Sequence, residues 1–462
     1  MPRNRLTLLP LLLPLGACSM APAYAPPQVA ALPAYKEAPD GWTQAVPDDA
    51  SDRGKWWAMF NDPVLDDLEA RMEKASPDLA ASVARLDAAL AAARESRADL
   101  FPTASASGDV IRARASARRP GATVANTYTD VTVGGALAYE IDLWGRVRNA
   151  VRASKAEAQA SASDLTNVRL SLQAALAGAY FQLRELDSQA ALLRQTVDAN
   201  SRALDLTTTR HDGGIASGLD VNRAQTVLSA ARAQISDVAR QRAITEHAIA
   251  TLIGEVASSF SIAPVDGLAA APAIAPQKPS TLLQRRPDIA AAERRMFAAN
   301  ARIGVARAAF FPTVSLGASG GWEATGGALF STPASFWGLG PLSTVLDLFD
   351  GGRRAARVKM TRAQYDEMAA DYRKTVLVAF RDVEDALAAS THLAIQSKDS
   401  DNAAAAAQRT LDLALTRYHD GASDYLEVVV AQTSSLDAQR AAIAVRAAQL
   451  QAAIDIVRAL GG

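Results

Sequence analysis

The sequence predicts a protein of mixed α and β class, with helices too long for a globule and four short strands, arranged as two copies of one unit. Three observations predict it: a helical apolar beat from Leu172 to Val197 inside a proline-free run of more than sixty residues, period-two alternation in short segments, and landmarks that recur at a nearly constant offset. The helical beat is clearest after Gly145. Leu172, Leu176, Ala179, Leu183, Leu186, Ala190, Leu193 and Val197 are spaced alternately four and three apart. That is the beat, about 3.5 residues, of a coiled-coil seam. Only Gly178 and no proline interrupts Arg146 to His211. At about 1.5 Å of rise per residue such a helix is roughly 100 Å long. Residues off the seam are Arg, Gln, Asp, Ser and Thr, so it is not a membrane-spanning helix and must lie against long partners.

The chain then repeats itself. Pro77-Asp78-Leu79 returns as Pro287-Asp288-Ile289, and Leu100-Phe101-Pro102-Thr103 as Phe310-Phe311-Pro312-Thr313, each 210 residues on. Asp142-Leu143-Trp144-Gly145 is answered by Asp347-Leu348-Phe349, His211-Asp212-Gly213 by His419-Asp420-Gly421, and Gly218 to Val221 by Tyr425 to Val428. Landmarks in one order at nearly one offset indicate internal duplication, a two-fold repeat. Each copy reads helix, two strands, long helix, tight turn, returning helix. In the first copy the opening helix covers Val64 to Leu100, with Asn61 or Asp62 as cap, and the returning helix Leu219 to Ile253. In the second the helices are Leu282 to Phe310, Arg354 to Arg417 and Leu426 to Leu460. The seam of the second long helix is weaker: Val376, Ala379, Val383 and Ala386 keep the beat and Ser390, Ser397 and Ser400 break it. The resulting division is a signal peptide over 1–17, an N-terminal arm over 18–60, a first repeat over 61–253, a proline-rich connector over 254–281 and a second repeat over 282–462.

Four strands are expected, at about 103–117, 129–143, 313–324 and 334–348. In the second, Val131, Val133, Leu137, Tyr139, Ile141 and Leu143 share one face, and small or polar residues share the other. Pro341 is odd for a central strand. The stretches Arg112 to Asn126 and Glu323 to Pro333 read as solvated hairpin tips. Tyr128, Tyr139, Trp144, Trp322, Phe336, Trp337 and Phe349 sit towards the strand ends, as interfacial aromatics do. The pattern therefore favours a transmembrane barrel over the half-buried sheet of a soluble domain. Four strands cannot close a barrel, the smallest having about eight, so several chains must contribute.

The amino terminus reads as a signal peptide, with Arg3 and Arg5 before an apolar run from Leu6 to Leu15. It ends in Leu15-Gly16-Ala17-Cys18, which resembles a bacterial lipobox, with Cys18 acylated as the first mature residue. Ser19 then implies sorting to the outer membrane. The formal net charge of -1 and the lack of a basic stripe argue against nucleic acid as a partner. Four histidines and one cysteine leave almost no material for a metal site or disulfide framework, and no nucleophile or phosphate-loop motif occurs in a suitable context. The chain reads as no enzyme and as needing no cofactor beyond the lipid on Cys18.

Three stretches carry a family resemblance: Leu282 to Leu316 (LLQRRPDIAAAERRMFAANARIGVARAAFFPTVSL), Trp56 to Leu68 (WWAMFNDPVLDDL) and Tyr139 to Val151 (YEIDLWGRVRNAV). They resemble the bacterial outer-membrane efflux proteins, in the lipoprotein branch of the TolC, NodT and OprM type. The resemblance covers essentially the whole mature chain. It implies a mixed α and β membrane protein in which three chains each give four strands to a twelve-stranded transmembrane barrel. Below that barrel, long coiled helices form a periplasmic α-barrel. The implied function is the passive outer-membrane exit duct of a tripartite efflux pump for toxic compounds or drugs. The implied partners are a periplasmic adaptor (membrane fusion) protein, an inner-membrane RND-type transporter and outer-membrane lipid.

The same resemblance assigns roles at the far turns. Arg210 to Val221 and Arg417 to Val428 match the family's periplasmic tip pattern, which places Gly214 and Gly421 at the adaptor contact. Leu426 matches an aperture-lining leucine, and Asp220 and Glu427 match acidic tip positions. The family often has Asp where this chain has Val430, and sometimes Arg where it has Thr433. An aspartate ring is thereby replaced here by a hydrophobic constriction of Leu426 with Val430. Two other readings remain open at this point: a duct for type I protein secretion, and a lipid-anchored helical structural protein whose sheet is soluble.

Overall fold

The computed structural model describes residues 19–27, 36–37, 54–118, 125–272 and 286–462. Among the described residues seven α-helices and four strands follow in order: α1 Pro63–Ala75, α2 Pro77–Ala98, β1 Thr103–Ala115, β2 Asn126–Glu140, α3 Arg146–Asp212, α4 Gly218–Leu252, α5 Pro287–Ala308, β3 Thr313–Ala324, β4 Ser335–Val345, α6 Arg353–His419 and α7 Tyr425–Leu460. A short 3-10 helix, Trp56–Phe60, precedes α1. None of the described helices is long and apolar enough to cross a membrane.

The element boundaries have local causes. Asp62 caps α1 by accepting from the backbone N–H groups of Val64 and Leu65, with Pro63 in the first turn. The single opening helix expected over Val64 to Leu100 is two helices. Pro77 forces Ser76 into an extended conformation and supplies no N–H, so α1 stops and α2 starts afresh. In the second copy, α5 begins at Pro287 rather than Leu282; residues 281–285 lie outside the described ones. Strand β2 ends at Glu140, short of the alternation read to Leu143. The Asp142 carboxylate turns the chain there, accepting from the N–H groups of Val147 and Arg148 at the start of α3. Arg112 and Arg114, read as part of a loop, stand in β1 opposite Thr129 and Thr127.

The described residues form two compact units. One gathers residues 19–27, Leu86–Ser161 and Ala291–Tyr372 and contains the sheet. Its strands run antiparallel in the order β1-β2-β3-β4. Pro341 lies on edge strand β4, beside the register shift between Leu316 and Ala318, which is where a strand tolerates proline. No residue of any of the four strands is buried. Trp337, Leu339 and Leu342 are more than 60% exposed. A soluble sheet would bury one apolar face; here Val131, Val133 and Tyr139 are only half-buried, and Val110 and Ile111, which point to opposite faces, are both exposed. Residues 19–27 lie along α3 and α5, where the Ser19 hydroxyl donates to Asn149 at 3.0 Å and the Asn300 amide donates to the Pro22 carbonyl at 3.0 Å.

The second unit gathers residues 36–37, 54–85, most of Ala162–Ala290 and Arg373–Gly462. The predicted seam of α3 is its spine. Leu176, Leu183, Leu186 and Leu193 are buried, packed with Leu65, Leu68 and Met72 of α1, Val238 and Ile249 of α4 and Leu450 and Ile454 of α7. In α6, Val376, Ala379, Val383 and Ala386 are buried and Ser390 is exposed, where the beat fails.

Glu69 is an exception in this core. It is fully buried on the face of α1 that carries Leu65, Leu68 and Met72, and neither carboxyl oxygen has a hydrogen-bond partner. Burial, then the neighbouring Glu73 and Asp66 carboxylates, push its pKa from about 4.5 up to about 9. The folded chain therefore holds the proton more tightly than the unfolded chain. The corresponding stability is complete below pH 4.5 and is lost as pH rises from there towards 9. Glu69→Gln is expected to flatten that dependence, raising the thermal midpoint at about pH 8 more than at about pH 5. Equal midpoint shifts at the two pH values would refute it.

Candidate functional site at the helix turns

The second unit ends in two tight reversals, α3 to α4 and α6 to α7. Each turns on a glycine, Gly214 and Gly421, both at φ 75°. L-residues resist that angle. A side chain on either glycine would meet nothing within 4 Å, so the backbone requires glycine and the surrounding surface is free. Ser217 and Asp220 then form a capping box on α4, the Ser217 hydroxyl accepting from the Asp220 N–H while the Asp220 carboxylate accepts from Ser217. Asp424 caps α7 through the N–H of Glu427. The carboxylate of Asp220 is therefore tied up in the cap and in an ion pair with Arg223 at 3.4 Å. Glu427 pairs with Arg417 at 2.7 Å.

Beside these groups lies an open groove of about 450 Å³, lined by Ala407, Ala414, Leu426, Val430 and Ala431 with Asp424 and Glu427 at its edge. Leu426 and Val430 are exposed, whereas their neighbours Tyr425 and Val428 are buried. The structure thus brings Leu426, Glu427 and Val430 to one groove and places Asp220 in the cap of the other hairpin. Cys18 lies outside the described residues.

The tip pattern includes Arg210 but does not reveal its partners. Arg210 donates to the carbonyls of Tyr418 and His419, both at 2.7 Å, and its guanidinium lies 4.6 Å from the centre of the Tyr418 ring. It ties one hairpin to the other. Arg417 occupies the equivalent position, four residues before its turn glycine, yet pairs within its own hairpin. The equivalence was visible in the sequence, but the different partners were not.

Long helices reversed at glycine turns and a four-stranded sheet without a buried residue make a chain of mixed helical and strand content. A crystal structure of a membrane protein from Pseudomonas aeruginosa has the same fold, with a TM-score of 0.88 and 33% identity over 96% of this chain and 100% of that one. The pyoverdine export outer membrane protein OpmQ of Pseudomonas aeruginosa is 35% identical over 100% of this chain and 97% of its own length. The probable efflux pump outer membrane protein TtgC of Pseudomonas putida is 34% identical over 97% and 93%. The sequence model of the outer membrane efflux proteins matches residues 70–255 and 279–462. The chain belongs to the outer membrane efflux protein family, whose members are channels rather than enzymes. The resemblance carried by the three quoted stretches is borne out.

Proposed function

We propose that three copies of this chain close a twelve-stranded barrel in the outer membrane and continue it as a helical duct through the periplasm, the passive exit of a tripartite efflux pump. The observation that carries this is the sheet. Apolar side chains are exposed on both faces, Val110 and Ile111 among them, none is buried, and the edge strands β1 and β4 have no described partner beyond β2 and β3. In lipid such edges must be paired, and sister chains supply matching ones. On this reading the two repeats are duplicates of one unit, Cys18 carries the lipid, and 1–17 is a signal peptide removed from the mature protein. Gly214 and Gly421 meet a periplasmic adaptor, which couples the duct to an RND-type transporter in the inner membrane.

Deleting the gene is expected to raise susceptibility to a panel of dyes, detergents and antibiotics, restored by the wild-type copy. Unchanged susceptibility together with a lost secreted polypeptide would move the chain to protein secretion instead.

At the aperture, Leu426 and Val430 take the place of a charged ring, and an apolar constriction gates by dewetting. Asp220, capped, and Glu427, paired with Arg417, frame it. Leu426→Ser is expected to raise single-channel conductance; an unchanged value would remove Leu426 from the constriction.

A further inference from the structure

We propose that Arg112 and Arg114, near the free end of β1, bind the phosphate groups of the phosphorylated glycolipid of the outer leaflet. The site rests on the barrel reading above, which turns one face of the sheet towards lipid. All four strands meet the helices at the ends near Thr103, Glu140, Thr313 and Val345. With the helices in the periplasm, the hairpin ends that carry Arg112 and Arg114 point outward.

The register sorts the side chains onto two faces. Val110, Val131, Val133, Leu137, Trp337 and Leu339 share one. Asp109, Ile111, Asp130 and Glu323 share the other. Carboxylates are costly in hydrocarbon, so the first face is the one that meets lipid. Along β2 it runs from Tyr139 to Val131. That is about 26 Å of strand, or roughly 20 Å upright at the tilt of barrel strands, against an apolar band about 25 Å tall. The next two positions on the same face are Arg112 and Arg114, opposite Thr129 and Thr127. They stand roughly 5 and 10 Å beyond the last valines, at head-group depth.

No described carboxylate neutralises them. Val110 to Thr129 holds four arginines and neither Asp nor Glu. Arg112, Arg114 and Arg118 are exposed and, among the described residues, unpaired. Asp109 and Asp130 point to the opposite face. Strand β4 lies within a stretch, Ala324 to Leu346, that has no charged residue, so the β4 of a sister chain paired with β1 brings no carboxylate. A guanidinium presents forked donors that match two phosphate oxygens. Its stem lies along apolar surface while its head reaches the phosphate. The hydroxyls of Thr127 and Thr129 add donors on the neighbouring strand.

The test uses the purified full-length trimer in detergent and two probes, bisphosphorylated lipid A and the same lipid with both phosphates removed, with binding measured by native mass spectrometry. The wild type is expected to prefer the bisphosphorylated form about thirtyfold, the effect of two basic residues at a phosphate surface. Arg112→Ser with Arg114→Ser is expected to erase the preference, and Arg112→Lys with Arg114→Lys to keep most of it. If the double serine variant does not assemble, Arg112→Ser alone is expected to reduce the preference about fivefold. A wild type that binds both lipids alike overturns the site without recourse to any variant. A preference undiminished in the serine variants overturns it by placing the phosphate elsewhere. Displacement of the lipid by millimolar inorganic phosphate overturns the lipid assignment in favour of a free anion. A chain that leaves membranes in an alkaline carbonate wash overturns the barrel and this site with it, whereas a detergent-requiring trimer without phosphate preference overturns the site alone.

Discussion

Replacing Gly321 with leucine is expected to abolish the assembled channel. Gly321 of β3 stands directly opposite Gly134 of β2. A Cβ on Gly321 would lie 2.3 Å from the Val133 carbonyl oxygen and 2.5 Å from the Gly134 Cα. Those are backbone atoms inside a paired ladder, so no side-chain rotation relieves the clash. The β2–β3 register must break or shift, and a shift by one residue sends every side chain to the opposite face. For a closed barrel that outcome is close to all-or-none, because unpaired backbone groups are intolerable in lipid. On the trimeric reading proposed above, the expected result is loss of a detergent-resistant trimer on unheated gels and of the protein from the outer-membrane fraction. Gly326→Leu is the control, since a Cβ there meets nothing within 4 Å. A Gly321→Leu trimer of wild-type mobility would refute both the β2–β3 pairing and its role in assembly.

Asp187→Ala is expected to be the most destabilising change in the helical unit, by about 3–5 kcal/mol. The Asp187 carboxylate is 1% exposed and bridges Arg184 at 3.0 Å and Arg242 at 2.6 Å. It also accepts from the Val265 N–H at 3.3 Å. Arg184 holds the Ala263 carbonyl at 2.8 Å, and Arg242 the Ile262 carbonyl at 2.7 Å. One carboxylate therefore joins α3 to α4 and fastens residues 262–265 across both. Its removal leaves the buried Arg184 guanidinium without a counter-charge and Arg242 with Glu246 alone, at 3.3 Å, which costs more than the ion pair itself is worth. Urea unfolding followed by helical signal measures the loss, and cleavage near Val265 by a protease is expected to accelerate. A loss below about 1 kcal/mol would show that water replaces the carboxylate, as it does for exposed pairs.

Local signals carried much of the candidate site. The turn glycines follow from residue type and spacing, because a turn needs positive φ; Asp220 and Leu426 came from the family resemblance, and the Ser217–Asp220 cap emerged only in the structure. The crossing of Arg210 to Tyr418 and His419 was not legible, since its partners are more than two hundred residues away and are backbone carbonyls that every residue has. The unpaired Glu69 was not legible either. A glutamate on an amphipathic helix reads as a solvated one, and only packing buries it.

By itself the sequence determined the order and kind of the elements, the seam of α3, the alternation of the strands and the family, because helix and strand periods and turn chemistry are local properties of the backbone. Only the tertiary structure decided that α1 and α2 part at Ser76, that Asp142 ends β2 at Glu140, that Asp187 ties α3 and α4 to residues 262–265, and that the sheet buries neither face. Those outcomes depend on which distant groups meet, and on how much of each is withdrawn from water. Chain periodicity does not encode either quantity.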